Sequence, residues 1–231
     1  MSVIGEGMID ACRMLLTLDE RVWGAALRTL WIASLAVLAA TVVGVLLGVG
    51  LARSRFWGRE LIVLAFRVGM SCPTVLIGVL GFTLLMRQGP LGELHLLYTS
   101  WGVMLGEFFL ALPIIVTLVH GAVRSLDPRV WETAQTLGAP GWLRLLTYLQ
   151  ETRLSLVLAI LTAFARCSTE LGIALLVGGN LRHTQTLATL AREEIRQGEF
   201  SRGIATSLVL LGISVVTTVL IAWLGRAEDE R

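Results

Sequence analysis

The amino-acid sequence predicts an all-α fold, a polytopic transmembrane helical bundle of about five spans. Two uncharged runs carry this prediction, because residues 29–52 and 203–225 contain no ionisable side chain. Each run is longer than the roughly 20 residues that a helix needs to cross a bilayer core. Only 16% of the 231 residues are charged, against about 25% in a typical soluble domain. The composition therefore argues against a soluble helical core.

Five apolar stretches follow one another along the chain. They cover about residues 29–52, 61–86, 100–123, 154–177 and 203–224. The second contains Pro73, and we expect a bend or break there because proline removes a backbone donor and clashes with the preceding turn. Gly178, Gly179 and Asn180 tolerate left-handed backbone and are expected to end the fourth helix. Together the stretches form one membrane domain over residues 29–225.

The two ends of the chain are more polar than this domain. In residues 1–28, Met8, Cys12, Leu15 and Leu16 fall on one helical face. This pattern is typical of an amphipathic helix at a membrane surface, and a partly ordered tail fits it equally well. Residues 226–231 form a charged tail.

The chain lacks the residues that an ATP-binding P-loop or a clustered metal site requires. All nineteen basic residues are arginine, and a phosphate-binding P-loop needs a lysine, so any ATP must be bound by another polypeptide. The cysteines Cys12, Cys72 and Cys167 have no metal-ligand spacing, and the three histidines are scattered. We expect no catalytic residue, metal or cofactor in this chain. The net charge of +2 says little about partners, and we expect no nucleic acid among them.

The polar stretch after the third span contains a well-marked short helix. Asp127 suits the N-cap position, and Pro128 suits the first helical turn. Gly138 is placed to end the helix in the left-handed conformation, and Pro140 then starts the next helix. A rigid surface helix with a projecting apolar face is typical of an element that docks in a groove of a partner. That face consists of Val130, Ala134 and Leu137.

The same segment carries a family resemblance. Its residues Glu132-Thr133-Ala134-Gln135-Thr136-Leu137-Gly138 resemble the Glu-Ala-Ala-x-x-x-Gly signature of permease subunits of bacterial ABC importers, although Thr133 replaces the usual first alanine. The resemblance implies the type I ABC importer permease fold, in the bacterial inner membrane, with this segment (about residues 127–138) as a cytoplasmic coupling helix in a cleft of the ATPase subunit. The residues that it places there are Trp131, Glu132, Thr133, Ala134, Leu137 and Gly138.

Later residues narrow the resemblance to one branch. The run Phe164-x-Arg166-x-x-Thr169-Glu170-x-Gly172, followed by Val177-Gly178-Gly179-Asn180, looks like permeases of the tungstate-importer type. Molybdate and sulfate permeases are close relatives of that type and remain alternatives. Residues 148–151 depart from the Ile-x-Leu-Pro ending of many ABC permeases. The implied partners are a second copy of the chain, an ABC ATPase subunit and a periplasmic oxyanion-binding protein.

The resemblance also predicts the orientation of the chain in the membrane. The numbers of arginines in the loops on the two sides differ too little to predict it. If residues 126–153 are cytoplasmic, five spans place the N-terminus outside and the C-terminus inside. Residues 181–202 then face the periplasm, where a binding protein docks.

The candidate pathway residues lie in and after the fourth span. They are Arg166, Ser168, Glu170, Gly178, Gly179 and Asn180. Arg166 and Glu170 are four residues apart, on one helix face. Ionisable groups at membrane depth either neutralise each other or face a water path, so three hypotheses stand: an Arg166–Glu170 pair, an Arg166–Glu107 pair, or an Arg166 that lines the pathway.

Other interpretations stay open at this stage. Gly178, Gly179 and Asn180 offer either backbone amides to an anion or a plain helix-ending turn. A secondary transporter or channel would work without an ATPase. An ATPase that co-purifies with the chain would therefore argue against this class. A membrane-embedded enzyme needs clustered ligands, so metal analysis tests that class.

Overall fold

The computed structural model describes residues 19–127, 129, 133 and 136–229, and within them every regular element is helical. This confirms the all-α prediction. The elements are α1 (Glu20–Arg53), α2 (Arg59–Met70), α3 (Thr74–Leu85), a 3-10 turn (Gly92–Leu94), α4 (Ser100–Ser125), α5 (Gly141–Glu151), α6 (Arg153–Ser168), α7 (Gly172–Leu176), α8 (Leu187–Arg196) and α9 (Phe200–Asp229).

Three helices of the described chain are long and apolar enough to cross a membrane. They are α1, α4 and residues 200–223 of α9, and α2 and α3 make a fourth if the pair is one span. The axis bends by 102° between α2 and α3. The break lies at Ser71, Cys72 and Pro73, because the proline ring prevents the helix from continuing through it.

The helix that we expected over residues 154–177 is interrupted. It ends at Ser168 and restarts at Gly172 as the short α7. Glu170 explains the interruption: its Oε1 accepts hydrogen bonds from the amides of Gly172 (2.7 Å) and Ile173 (3.2 Å). A side-chain acceptor that satisfies the first free amides starts a new helix.

The core is built on close contact between α1 and α4. Small residues on one face of α1 let the two backbones approach, as is typical of membrane helix pairs. A Cβ atom placed on Gly44 would lie 2.8 Å from Cγ2 of Ile115, and one placed on Gly48 would lie 2.9 Å from Cβ of Val119. Ala33, Ala36 and Ala40 continue this face and are fully buried.

Gly48→Leu is therefore expected to destabilise the permease domain. The new side chain would collide with Val119 and with the carbonyl of Val116, and overpacking of this kind costs about 1–3 kcal/mol. We expect a lower midpoint of thermal aggregation in detergent. Gly50→Leu is the matched control, because nothing lies within 4 Å of a Cβ placed on Gly50. Equal midpoints for the two variants would refute the tight contact.

The segment between α7 and α9 is fixed to the N-terminal part of α1, which is itself joined to the start of α9. Arg28 Nε donates to the Gln185 carbonyl at 2.8 Å, and Thr29 Oγ1 accepts from the Leu187 amide at 2.9 Å. Arg202 forms a salt bridge with Asp19 at 3.3 Å. Thus α8 packs as part of the bundle.

Candidate functional site

Arg166 and Glu170 form an ion pair where α6 ends. The distance from Arg166 Nη1 to Glu170 Oε2 is 3.2 Å. The two partners differ in exposure, since the Arg166 side chain is 42% exposed and that of Glu170 only 2%. The Arg166–Glu170 pair is thus the arrangement that the structure adopts, and much of the guanidinium still faces outward from the single chain.

Glu107, on α4, does not pair with Arg166. Its side chain is buried, and its Oε2 has no hydrogen-bond partner among the described residues. The contact that it makes to α6 is through its backbone, where Cys167 Sγ approaches the Glu107 carbonyl at 3.7 Å. Glu107 therefore lies beside the ion pair without contributing to it.

The two helix breaks meet inside the bundle. A Cβ atom placed on Gly172 would lie 3.2 Å from the amide nitrogen of Val75, and one placed on Gly78 would lie 3.0 Å from the Gly172 carbonyl. The start of α7 thus packs directly on α3, with little room for a side chain at either glycine. Irregular backbone at membrane depth is tolerated where it is buried in protein or lines a wet cavity. This juxtaposition satisfies that condition and places Glu170 next to the break before α3.

Ser168 is buried inside the single chain. Its hydroxyl donates to the Phe164 carbonyl at 2.8 Å. A serine that bonds back to its own helix in this way has satisfied its donor locally. In the single chain Ser168 therefore packs at the end of α6, and its place in a pathway stays a prediction.

The turn after α7 uses its amides within the helix. Gly178 and Gly179 donate to the carbonyls of Ala174 and Leu175, both at 3.1 Å. These two amides are not free to bind an anion, so the structure corrects the hypothesis of an amide nest and favours a helix-ending turn. Gly179 has a φ of 67° and Asn180 one of 52°, and a Cβ on Gly179 would lie 2.5 Å from the Tyr98 ring.

Asn180 links this turn to α8. Its amide Nδ2 donates to Glu193 Oε2 at 3.3 Å, and its Oδ1 accepts from Gln185 at 3.2 Å. Hydrogen bonds from Arg196 and Gln197 lower the pKa of Glu193 to about 2, so this anchor stays ionised at neutral pH. In contrast, burial raises the pKa of Glu194, whose Oε2 accepts from Thr206 at 2.6 Å. Asn180, Glu193 and Glu194 all border a polar recess of about 490 Å³.

Most described residues of the 126–140 segment are exposed, and both ends of the segment have the local geometry that the sequence predicts. The amide of Arg129 donates to Asp127 Oδ1 at 2.9 Å, as an N-terminal cap requires. Gly138 has a φ of 69°, and the Leu137 side chain is 81% exposed. Thr133, Leu137 and Gly138 border a groove of about 600 Å³ that continues onto α5. Trp131, Glu132 and Ala134 lie outside the described residues.

A contact that the sequence does not reveal joins the helices on both sides of this segment to α1. The guanidinium carbon of Arg53 lies 4.5 Å from the centroid of the Tyr148 ring, on α5. Arg53 Nη2 also donates to the Val123 carbonyl of α4 at 3.0 Å. Arg53 therefore connects the C-terminal ends of α1, α4 and α5, and the exposed segment lies between the last two of these helices.

The sequence profile of the family described as binding-protein-dependent transport system inner membrane component matches residues 22–229. The chain belongs to this family of permeases. It is therefore a transport component of the inner membrane, and the family assignment agrees with the spans and the exposed segment described above.

Individual relatives of the permease agree with this assignment. The chain is 33% identical over 93% of its length to the tungstate uptake system permease protein TupB of Campylobacter jejuni, of which the match covers 90%. It is 27% identical over 94% of its length to the molybdenum transport system permease protein ModB of Escherichia coli K12, of which 99% is covered. A bacterial ABC transporter that imports alginate has the same fold, with a TM-score of 0.71 at 17% identity, over 94% of this chain and 83% of that one.

Removing the Tyr148 ring is expected to weaken the connection at the inner end of the permease. Tyr148→Leu loses the stacking of Arg53, and a partly buried cation–π contact contributes about 1–2 kcal/mol. We expect a lower thermal midpoint and several-fold slower transport. Tyr148→Phe keeps an aromatic face and is expected to retain most of both. If the leucine and phenylalanine variants behave alike, the stacking does not matter.

Proposed function

We propose that this permease forms the membrane pathway of an ATP-driven importer of a tetrahedral oxyanion, and that tungstate is the transported anion. The observation that carries the proposal is the likeness, along 93% of the chain, to a permease named for tungstate uptake. The guanidinium of Arg166 supports it, since a planar fork of donors matches the oxygens of such an anion. Molybdate and sulfate are the alternative substrates.

The pathway is proposed to lie between two copies of the chain. Arg166 is 42% exposed in one copy, and a charged guanidinium is costly against lipid. Such a group faces a protein interior or a water-filled cavity. A homodimer whose interface contains Arg166 of both copies meets that requirement, and it places two positive groups along the route of a dianion.

The permease is proposed to act with an ATPase subunit and a periplasmic binding protein. The chain has no lysine for a P-loop, so ATP hydrolysis belongs to the separate subunit. That subunit docks on the exposed segment around Leu137, and the binding protein delivers the anion to the opposite face. When ATP closes the ATPase dimer, the two coupling segments approach each other and the pathway opens outward. Hydrolysis then resets it.

Uptake of labelled tungstate tests this function. Cells would express the permease with its ATPase and binding protein, and molybdate and sulfate would be added as competitors. Tungstate uptake that resists both competitors supports the proposal in full. Equal suppression by molybdate or sulfate would keep the importer and reject tungstate as the specific substrate. No ATP-dependent uptake of any of the three anions would reject the substrate class.

Composition of the purified complex tests the partners. We expect native mass spectrometry to find two permease chains and two ATPase subunits. A permease that transports without an ATPase would instead be a secondary transporter.

A further inference from the structure

Glu170 uses its two carboxylate oxygens for different partners. Oε1 accepts from the amides of Gly172 and Ile173, at 2.7 and 3.2 Å. Oε2 faces Arg166 Nη1 at 3.2 Å. Because the first two bonds are to the backbone of α7 and the residue is buried, the position of the carboxylate is fixed by the helix. It does not depend on the arginine.

Arg166 is held much less firmly than its partner. Its contact with Glu170 is a single one at 3.2 Å, longer than the 2.7–2.9 Å typical of charge-assisted hydrogen bonds and not bidentate. Among the described residues, Glu170 is the hydrogen-bond acceptor that this side chain meets. A guanidinium carries five N–H donors. Most of them therefore remain available on a side chain that is 42% exposed.

We propose that Glu170 is a resident carboxylate that competes with the transported oxyanion for Arg166, and so sets how long the anion stays. This rests on the proposed function. An arriving dianion offers two or more oxygens to the open edge of the guanidinium and displaces the single contact. Glu170 does not move away, since α7 holds it, and it pairs with Arg166 again when the anion leaves.

The physical reason is that a transport site must both accept and release its ion. Binding has to be favourable enough for entry and weak enough for exit. An unpaired guanidinium in a low-dielectric site would hold a dianion strongly. A carboxylate at a fixed 3.2 Å weakens that attraction and neutralises the arginine when the pathway is empty. Glu170 is thus a positioning residue that favours turnover over retention.

Glu170→Gln separates this role from the capping of α7. The glutamine carbonyl can still accept from the amides of Gly172 and Ile173, whereas the amide group replaces the charged acceptor of Arg166. Glu60→Gln is the matched control, because Glu60 also pairs with an arginine, Arg59 at 3.3 Å, but is an exposed residue on α2.

The experiment uses the complete complex of permease and ATPase in lipid nanodiscs, with labelled tungstate as the probe. Equilibrium retention of tungstate is measured without the binding protein, and turnover is measured in proteoliposomes with saturating loaded binding protein. For Glu170→Gln we expect at least fivefold tighter retention together with at least fivefold slower turnover. Glu60→Gln is expected to match the wild type in both. Adding Arg166→Gln to Glu170→Gln is expected to abolish the tighter retention.

Other results would overturn the proposal. Unchanged retention and turnover would leave Glu170 as a helix cap alone. Loss of both would mean that the carboxylate supports binding and does not compete with the anion. If Glu170→Gln fails to assemble, Glu170→Asp serves instead, because it keeps the charge but withdraws it by one methylene. It is expected to shift both quantities in the same directions by smaller factors, and no shift would reject the competition. A wild-type complex that transports no oxyanion would reject the proposed function itself.

Discussion

Arg166→Gln is expected to lower oxyanion uptake at least tenfold while the complex assembles in normal amounts. The wild-type guanidinium is partly exposed in the single chain, beside a carboxylate that is almost fully buried, and we propose that it lines the pathway. Glutamine keeps a polar side chain of similar length but no charge. The barrier for a dianion then rises, because its charge is no longer offset in a low-dielectric site.

Initial rates of tungstate uptake, normalised to the amount of assembled complex, measure this effect. The matched control is Arg124→Gln, which removes an arginine that also lies near a glutamate, at 3.8 Å from Glu60, but is more than half exposed at the end of α4. We expect the control to transport at close to the wild-type rate. Uptake by Arg166→Gln at the wild-type rate would show that this arginine does not line the pathway.

Local features of the fold were best predicted from the sequence where a single residue type determines the backbone conformation. Pro73 breaks the second span because its ring has no amide hydrogen to donate. The left-handed turn at Gly138 likewise follows from a residue without a Cβ. The proximity of Arg166 and Glu170 follows from a separation of four residues on a helix. In each case the signal lies within a few residues of the feature.

Features that depend on side-chain contacts were not predictable in the same way. Residues 169–171, where the helix is interrupted, include no proline or glycine that would predict a break. The interruption arises because the Glu170 side chain accepts hydrogen bonds from the amides of Gly172 and Ile173. An apolar run with one acidic residue is typical of a continuous helix as well. The only signal in the sequence is an acid two residues before a glycine, a spacing that also occurs within helices.

The contact of Arg53 with Tyr148 joins distant parts of the chain. Periodicity places each residue on its own helix but does not state which helices are neighbours. The amides of Gly178 and Gly179 pose a related problem, because the residue types allow both a nest and a helix end. The carbonyls of Ala174 and Leu175 decide between them, and only the three-dimensional structure shows that those carbonyls accept the two amides.

Leu137→Asp is expected to separate the permease from its ATPase. The leucine is 81% exposed and borders a groove with Thr133 and Gly138. If the ATPase cleft buries this side chain, its loss costs about 2 kcal/mol of binding energy, and the buried aspartate charge adds a further cost. Together these predict a decrease in affinity of more than tenfold, and uptake is expected to fall with it. Co-purification of the ATPase with tagged permease measures the affinity directly.

Leu94→Asp is the matched control for this substitution. Leu94 is also exposed and belongs to the 3-10 turn between α3 and α4, on the side that we expect to face the periplasm. The same chemical change there should leave the ATPase bound, even if it disturbs delivery of the anion. ATPase retained by both variants would place the docking surface elsewhere than Leu137. Loss from Leu137→Asp alone would place the docking surface on the exposed segment. Arg53 would then link a movement of this segment to α1, because it contacts α4 on one side of the segment and α5 on the other.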